Sequence, residues 1–124
     1  MTSILVVEDE PGVRQTIVDW LQSEGYLVLE AGSQAEALTV FGQAEPRPAA
    51  ALVDVKLPDG NGFVLADLLH QRFGFENLIF ITAFFWEEET RRQLARRGRP
   101  YFEKPLKFQD QILPFLKRYL ASQV

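Results

Sequence analysis

The chain has 124 residues, 47% of them apolar and 24% charged, with a net charge of −4, no cysteine and one histidine, His70. That length suits a single domain over residues 1–124, and the cysteine and histidine counts exclude disulfide frameworks and both thiolate and His-cluster metal sites. The acidic balance argues against nucleic acid as the main ligand; with no apolar run near the roughly 20 residues of a membrane span and no leader pattern, a cytoplasmic domain is expected.

Strand-like and helix-like segments alternate five times along the chain. Ser3 to Val7 reads as the first strand. Pro11 suits the first turn of the helix that follows, Val13, Ile17, Trp20 and Leu21 give it one apolar stripe, and Gly25 stands at its C-terminal cap. Tyr26 to Leu29 is a short second strand. Ser33-Gln34-Ala35-Glu36 is a capping-box pattern opening a second helix, whose Ala37, Leu38 and Phe41 face inward and which Glu45-Pro46-Arg47-Pro48 breaks. Ala50 to Val53 is the third strand. The turn-rich loop Leu57-Pro58-Asp59-Gly60-Asn61-Gly62 leads into a third helix, with Phe63, Ala66, Leu68 and Leu69 as its apolar positions and a stop near Gly74. Leu78 to Ile81 is the fourth strand. A charged fourth helix begins at Glu87-Glu88-Glu89 and finishes with Arg96-Arg97 before Gly98, the polarity a helix dipole favours. Pro100 to Phe102 is the fifth strand. The last helix carries Ile112, Leu113, Phe115, Leu116 and Leu120, and Pro114 inside that stripe predicts a kink or a late start.

This alternation predicts an α/β fold in which a five-stranded parallel sheet, joined by right-handed crossovers, lies between helices in a three-layer sandwich. The pattern alone does not fix the strand order, for which flavodoxin-like 2-1-3-4-5 is the commonest candidate. Parallel strands end on one edge, where ligands of open α/β sheets bind. Glu8-Asp9, Asp54, Thr82 and Lys104 each close an apolar run, so three acids, a hydroxyl and an ammonium are expected to converge there. Taken singly, the acidic pair reads as a helix cap, Asp54 equally as a turn residue or a nucleophile, Thr82 as a strand-end hydroxyl and Lys104 as a solvated charge. Taken together, they are a site. Facing carboxylates repel, and a hard divalent ion with oxygen ligands, most naturally Mg²⁺, resolves the conflict while leaving positions for phosphate oxygens. An aspartate there can act as a nucleophile on phosphorus, with ammonium, hydroxyl and metal neutralising the phosphoryl oxygens.

In these segments the chain resembles the receiver domain of bacterial two-component response regulators, over essentially its whole length. Ile4-Leu5-Val6-Val7-Glu8-Asp9-Glu10 is similar to that family's first strand with its acidic pair. Asp54 to Gly62, with Pro58 and Gly62 at the family's offsets, resembles the phosphoacceptor segment. Thr82-Ala83 resembles the switch-hydroxyl segment, Lys104-Pro105 the lysine-proline pair whose peptide bond is usually cis, and Tyr101 falls at the switch-aromatic position. The resemblance implies a phosphorylation-activated switch. Asp54 would accept a phosphoryl group from a sensor histidine kinase or phosphotransfer protein. Asp9, Asp54 and the backbone carbonyl of Lys56 would bind Mg²⁺ directly, with Glu8 acting mainly through water. Thr82 and Lys104 would hold phosphoryl oxygens, and Tyr101 would turn inward, reshaping the surface of the fourth helix, fifth strand and fifth helix for a downstream output protein or domain. Such a chain is a signalling domain that promotes its own phosphorylation and dephosphorylation, expected as a monomer or a phosphorylation-dependent dimer.

Some positions depart from the family's commonest pattern. The acidic pair is Glu-Asp instead of Asp-Asp, and the stretch before Tyr101 is one residue shorter than usual. Lys56 and Phe84, two residues after the acceptor and after Thr82, are expected to shield the phosphoryl group and slow its hydrolysis. Phe84-Phe85-Trp86 is either partly core or an exposed patch marking a partner surface. Arg91, Arg92, Arg96, Arg97 and Arg99 form either a solvated face paired with Glu87 to Glu89 or a docking surface for an acidic partner. His70 is expected on the surface. A phosphatase resembling haloacid dehalogenases needs a second aspartate where Lys56 stands, and a nucleotide or flavin carrier finds neither a P-loop nor a third glycine after Gly60 and Gly62, where Leu65 stands. The alternative is a phosphorylation-independent, receiver-like interaction module, against which intact Asp54, Thr82 and Lys104 argue.

Overall fold

The computed structural model describes residues 2–122. Strands β1 (Ser3–Val7), β2 (Leu27–Ala31), β3 (Ala50–Asp54), β4 (Leu78–Thr82) and β5 (Tyr101–Glu103) alternate with helices α1 (Pro11–Ser23), α2 (Gln34–Gln43), α3 (Gly62–Phe73), α4 (Glu88–Arg97) and α5 (Leu113–Ala121). All strand pairings in this sheet are parallel, and the spatial order is β2-β1-β3-β4-β5, the flavodoxin-like order expected. Successive residues of a strand point to opposite faces. Accordingly Leu5, Val7, Ala51, Val53, Leu78 and Phe80 pack with Phe41 of α2, Leu65 and Leu69 of α3 and Leu94 of α4. Ile4, Val6, Ala50, Leu52, Ile79 and Ile81 pack with Ile17 and Leu21 of α1 and Ile112 and Leu116 beside and within α5. The central strands are apolar on both faces because both faces are covered.

Several boundaries move from their expected places, each for a local reason. Tyr26 donates its N–H back to the Leu21 carbonyl at 3.2 Å and so belongs to the turn that closes α1; β2 starts at Leu27 and runs on to Ala31. In α3 the buried inward positions are Phe63, Leu65 and Leu69, with Leu68 only half-buried. Glu87 precedes α4 instead of opening it. β5 begins one residue later than Pro100, whose carbonyl accepts from Phe80 N–H at 3.0 Å. A wide π-type turn, Phe108–Ile112, precedes α5 and leaves Pro114 in the first turn of the α-helix. A proline deeper in the helix would strike the carbonyl four residues back, so the late start relieves that clash.

Candidate functional site

The β3 strand is buried along its whole length, and its last residue, Asp54, is buried with it at the C-terminal edge of the sheet. Glu8, one residue past β1, continues the ladder by donating its N–H to Ala31 at 3.0 Å, and its side chain is fully buried. Asp9 follows on the exposed side. Carboxylate oxygens of Glu8, Asp9 and Asp54 all lie within 4.8 Å of one another. Lys104, one residue past β5, donates its backbone N–H to the Thr82 carbonyl at 2.8 Å, which ties β5 to β4 at the site. The Lys104 side chain then crosses to Asp54, Nζ to Oδ2 at 2.8 Å, and to Glu8 Oε1. The Lys104–Pro105 peptide bond is cis, as is Glu45–Pro46.

The second oxygen of each buried carboxylate has a partner too. Asp54 Oδ1 accepts from Lys56 N–H at 3.1 Å, and Glu8 Oε2 from Glu10 N–H at 3.2 Å. Burial pushes the Glu8 carboxyl up to about 7, reinforced by neighbouring Asp54 and opposed by Lys104. Burial alone would lower the Lys104 ammonium, but hydrogen bonds and charges from Asp54 and Glu8 overrule it and leave it raised. The ammonium thus neutralises a carboxylate pair that otherwise repels. Gly62 opens α3 against the acceptor, where a Cβ would stand 2.5 Å from the Asp54 carbonyl oxygen.

Thr82 is fully buried at the end of β4, but its Oγ1 accepts from Phe84 N–H at 2.8 Å and is bonded to neither Asp54 nor Lys104. Tyr101 lies outside the carboxylate cluster, 39% exposed and stacked on Phe85 with ring centroids 5.4 Å apart. The aromatic triplet divides between its two readings. Phe85 packs on the core, whereas Trp86 is 70% exposed. The Lys56 ammonium sits over the Phe84 ring at 5.0 Å and pairs with Glu87 at 3.3 Å. Of the arginines, Arg92 pairs with Glu88 and Glu89 within the helix, but Arg97 reaches Asp67 of α3 at 2.8 Å and Arg99 reaches Glu76 at 3.6 Å. Arg91 turns to the Phe85 and Trp86 carbonyls. His70 is on the surface beside Glu76.

Two neighbours of the site escape sequence reading. Arg14 of α1 donates to the Glu8 carbonyl at 2.7 Å and pairs with Glu30. Asp59 accepts from the backbone N–H groups of Gln34 and Ala35 at 2.8 and 2.9 Å. Arg14 carries no local signal, and Pro58-Asp59-Gly60 reads only as a turn.

The donor set fits a hard divalent cation, since three carboxylates converge and no nitrogen or sulfur ligand accompanies them. The family model for the response regulator receiver domain matches residues 4–113. Sensor protein TorS of Escherichia coli is 32% identical over 121 residues, 98% of this chain and 13% of that protein. The DNA-binding transcriptional activator DevR/DosR of Mycobacterium tuberculosis is 34% identical over 109 residues, 86% of this chain and 49% of that protein. The chain therefore spans less than half the length of either relative. Response regulator protein TrrA of Thermotoga maritima, solved in complex with Mg²⁺-BeF, superposes with a TM-score of 0.81 at 28% identity, covering 96% of this chain and 99% of that one. In agreement with its sheet order, clustered acids and bridging lysine, the chain belongs to the response regulator receiver domain family of two-component systems.

Proposed function

We propose that the chain is a phosphorylation-activated switch in which Asp54 accepts a phosphoryl group from the phosphohistidine of a sensor histidine kinase or phosphotransfer protein. The observation that carries this reading is the buried Asp54 carboxylate, bonded to Lys104 at 2.8 Å beside Glu8 and Asp9 at the sheet edge. In the transfer, one Asp54 oxygen forms a bond to phosphorus as the phosphorus–nitrogen bond breaks, and the nitrogen keeps the electron pair. Lys104 is placed to follow the charge onto a phosphoryl oxygen, because it already bonds the attacking carboxylate. Thr82 supplies a hydroxyl donor at the end of the adjoining strand. Asp9, Asp54 and the Lys56 backbone carbonyl would hold Mg²⁺, with Glu8 acting through water. When bound, Mg²⁺ would supply neutralisation of the charge that builds up around the acids during the transfer.

The rest of the reading follows from the same site. The chain acts as one receiver unit over residues 1–124, in the cytoplasm. Its output surface is the face of α4, β5 and α5, where Tyr101 of β5 is partly exposed, with exposed Trp86 in the loop leading into α4. Among the described residues, no helix is long and apolar enough to cross a membrane. Nucleic acid is not its direct ligand, and it works as a monomer or a phosphorylation-dependent dimer. Incubation with acetyl phosphate and Mg²⁺, followed by intact mass, tests the reading. A phosphoryl adduct absent from Asp54→Asn is expected; no adduct on the parent chain would favour a phosphorylation-independent interaction module.

A further inference from the structure

The segment after the acceptor is a short antiparallel ribbon, Lys56-Leu57 paired with Gly60-Asn61, with Pro58 and Asp59 at its tip. Its polar bonds run mostly to the residues that flank it. Lys56 N–H goes back to Asp54, Gly62 N–H to the Val55 carbonyl at 2.8 Å, and Asn61 Oδ1 caps α3 at Val64 N–H. Beyond that cap, side-chain ties among the described residues reach from the ribbon at two residues: Lys56 to Glu87 and the Phe84 ring, and Asp59 to the first turn of α2. The second is bidentate, one carboxylate oxygen on Gln34 N–H and the other on Ala35 N–H. Ser33 already caps α2 through Glu36 N–H at 3.1 Å. Asp59 therefore adds a bond between two elements to a helix that has its own cap. The Gln34 side-chain oxygen supports the same close seating. It is buried without a hydrogen-bond partner and faces Gly60, the residue after Asp59, where a Cβ would collide with it. Leaving such an oxygen unpaired is unfavourable, so other contacts must hold α2 and the ribbon together.

We propose that Asp59 is a positioning residue: by clamping the ribbon tip to α2 it fixes the Lys56 carbonyl, and through it the affinity of the acidic cluster for a divalent cation. This rests on the proposed function, which makes that carbonyl a ligand. The tip lies two to three residues from Lys56 on one arm, and the other arm enters α3 at Gly62, wedged against the Asp54 carbonyl. A ribbon pinned at its base by Gly62 and at its tip by Asp59 cannot rock. Released at the tip, it pivots at the base and swings the Lys56 carbonyl relative to the carboxylates.

Titration calorimetry with Mg²⁺ alone on the full chain tests the clamp in wild type, Asp59→Ala, Asp59→Asn and Ser33→Ala. Loss of a group that orients a metal ligand typically weakens binding by about 10-fold or more. Asp59→Ala is expected to raise the Mg²⁺ dissociation constant by about that much, and Asp59→Asn, which keeps one acceptor oxygen, by less. Ser33→Ala removes the cap of the same helix without touching the ribbon, so it should lower thermal stability and leave Mg²⁺ affinity unchanged. Phosphorylation of Asp59→Ala by acetyl phosphate should recover toward the wild-type rate as Mg²⁺ is raised. If Asp59→Ala binds Mg²⁺ like wild type, or Ser33→Ala weakens it equally, the clamp is refuted while the proposed function stands. If the wild-type chain binds no Mg²⁺, the proposed function fails first, and the clamp's role with it.

Discussion

Glu8 stands where burial and charge disagree. Its carboxyl is fully buried and pushed up to about 7, from 4.5, by desolvation and Asp54, although Lys104 pulls the other way. Between those two values the folded protein keeps a proton that the unfolded chain has released, so folding binds a proton there. Stability linked to Glu8 is therefore complete at acid pH and lost as pH rises through about 7. Without metal, the urea midpoint of the wild type should fall between about pH 5 and pH 8 by an amount worth at most about 3 kcal/mol, and Glu8→Gln should flatten that limb. Parallel profiles for the two proteins would refute the assignment. Phe84 bears on a different quantity in the proposed function. The Lys56 ammonium lies over its ring at 5.0 Å and is held also by Glu87, and the shielding role expected of the pair would be lost with that ring. An exposed cation–π contact is worth about 0.5–1 kcal/mol, so Phe84→Ala should speed hydrolysis of the phosphorylated chain by about two- to fivefold. A dephosphorylation rate unchanged by that substitution would remove the shielding role.

Which elements could be read from the sequence depended on whether their cause was local. β1 falls where its apolar run puts it, because a central strand is buried on both faces and has nothing but that run to express. α2 starts where Ser33 caps it, the serine accepting from Glu36 N–H at 3.1 Å. β2 was misplaced because it is an edge strand, only its last residue, Ala31, being fully buried. Its register comes from pairing with β1, which local pattern does not encode. α3 turns Phe63, Ala66 and Leu69 inward as expected, but Leu65 takes the buried place expected of Leu68, because in so apolar a helix the sheet decides which leucine it covers. The turn from β3 into α3 was legible as Gly62, but not the reason for it. The missing Cβ is required by the Asp54 carbonyl, 2.5 Å away from where that atom would stand, and by Val53 Cγ1 at 3.1 Å. Neither a backbone carbonyl nor a core strand gives way cheaply. Gly62→Ala should therefore cost about 1–3 kcal/mol in chemical denaturation, the range for overpacking a close-packed contact. It should also lower phosphoryl incorporation, because relief requires moving Asp54. Full stability with full incorporation would show that the contact is not tight.

Across the molecule, convergence at the sheet edge was legible because parallel topology alone brings strand ends together. The stack that completes the link from this edge to the outer face was not, because Phe85 and Tyr101 are distant in sequence. Thr82 holds Phe84 N–H through its hydroxyl, the next residue, Phe85, stacks on Tyr101, and Tyr101 pairs with Phe80 across β4 and β5. On the proposed function, a phosphoryl group on Asp54 that pulled the Thr82 side chain toward itself would break the Phe84 bond and loosen the loop that keeps Tyr101 outward. The stack would then be a hold on one of two states, and removing it should bias the equilibrium toward the other without touching the site. An aromatic pair contributes about 0.5–1.5 kcal/mol beyond its buried area, so Phe85→Ala should tighten binding of Mg²⁺ with beryllofluoride by about two- to tenfold if that contact is lost on activation. The gain has a ceiling, since a ligand recovers only the fraction of chains that were in the outward state. Affinity is to be measured well below the unfolding midpoint, because Phe85 also packs on the core and its loss lowers stability. A tighter complex despite a less stable fold would separate the switch from ordinary damage. Equal or weaker binding would mean that the position of Tyr101 is not coupled to the acceptor through this stack.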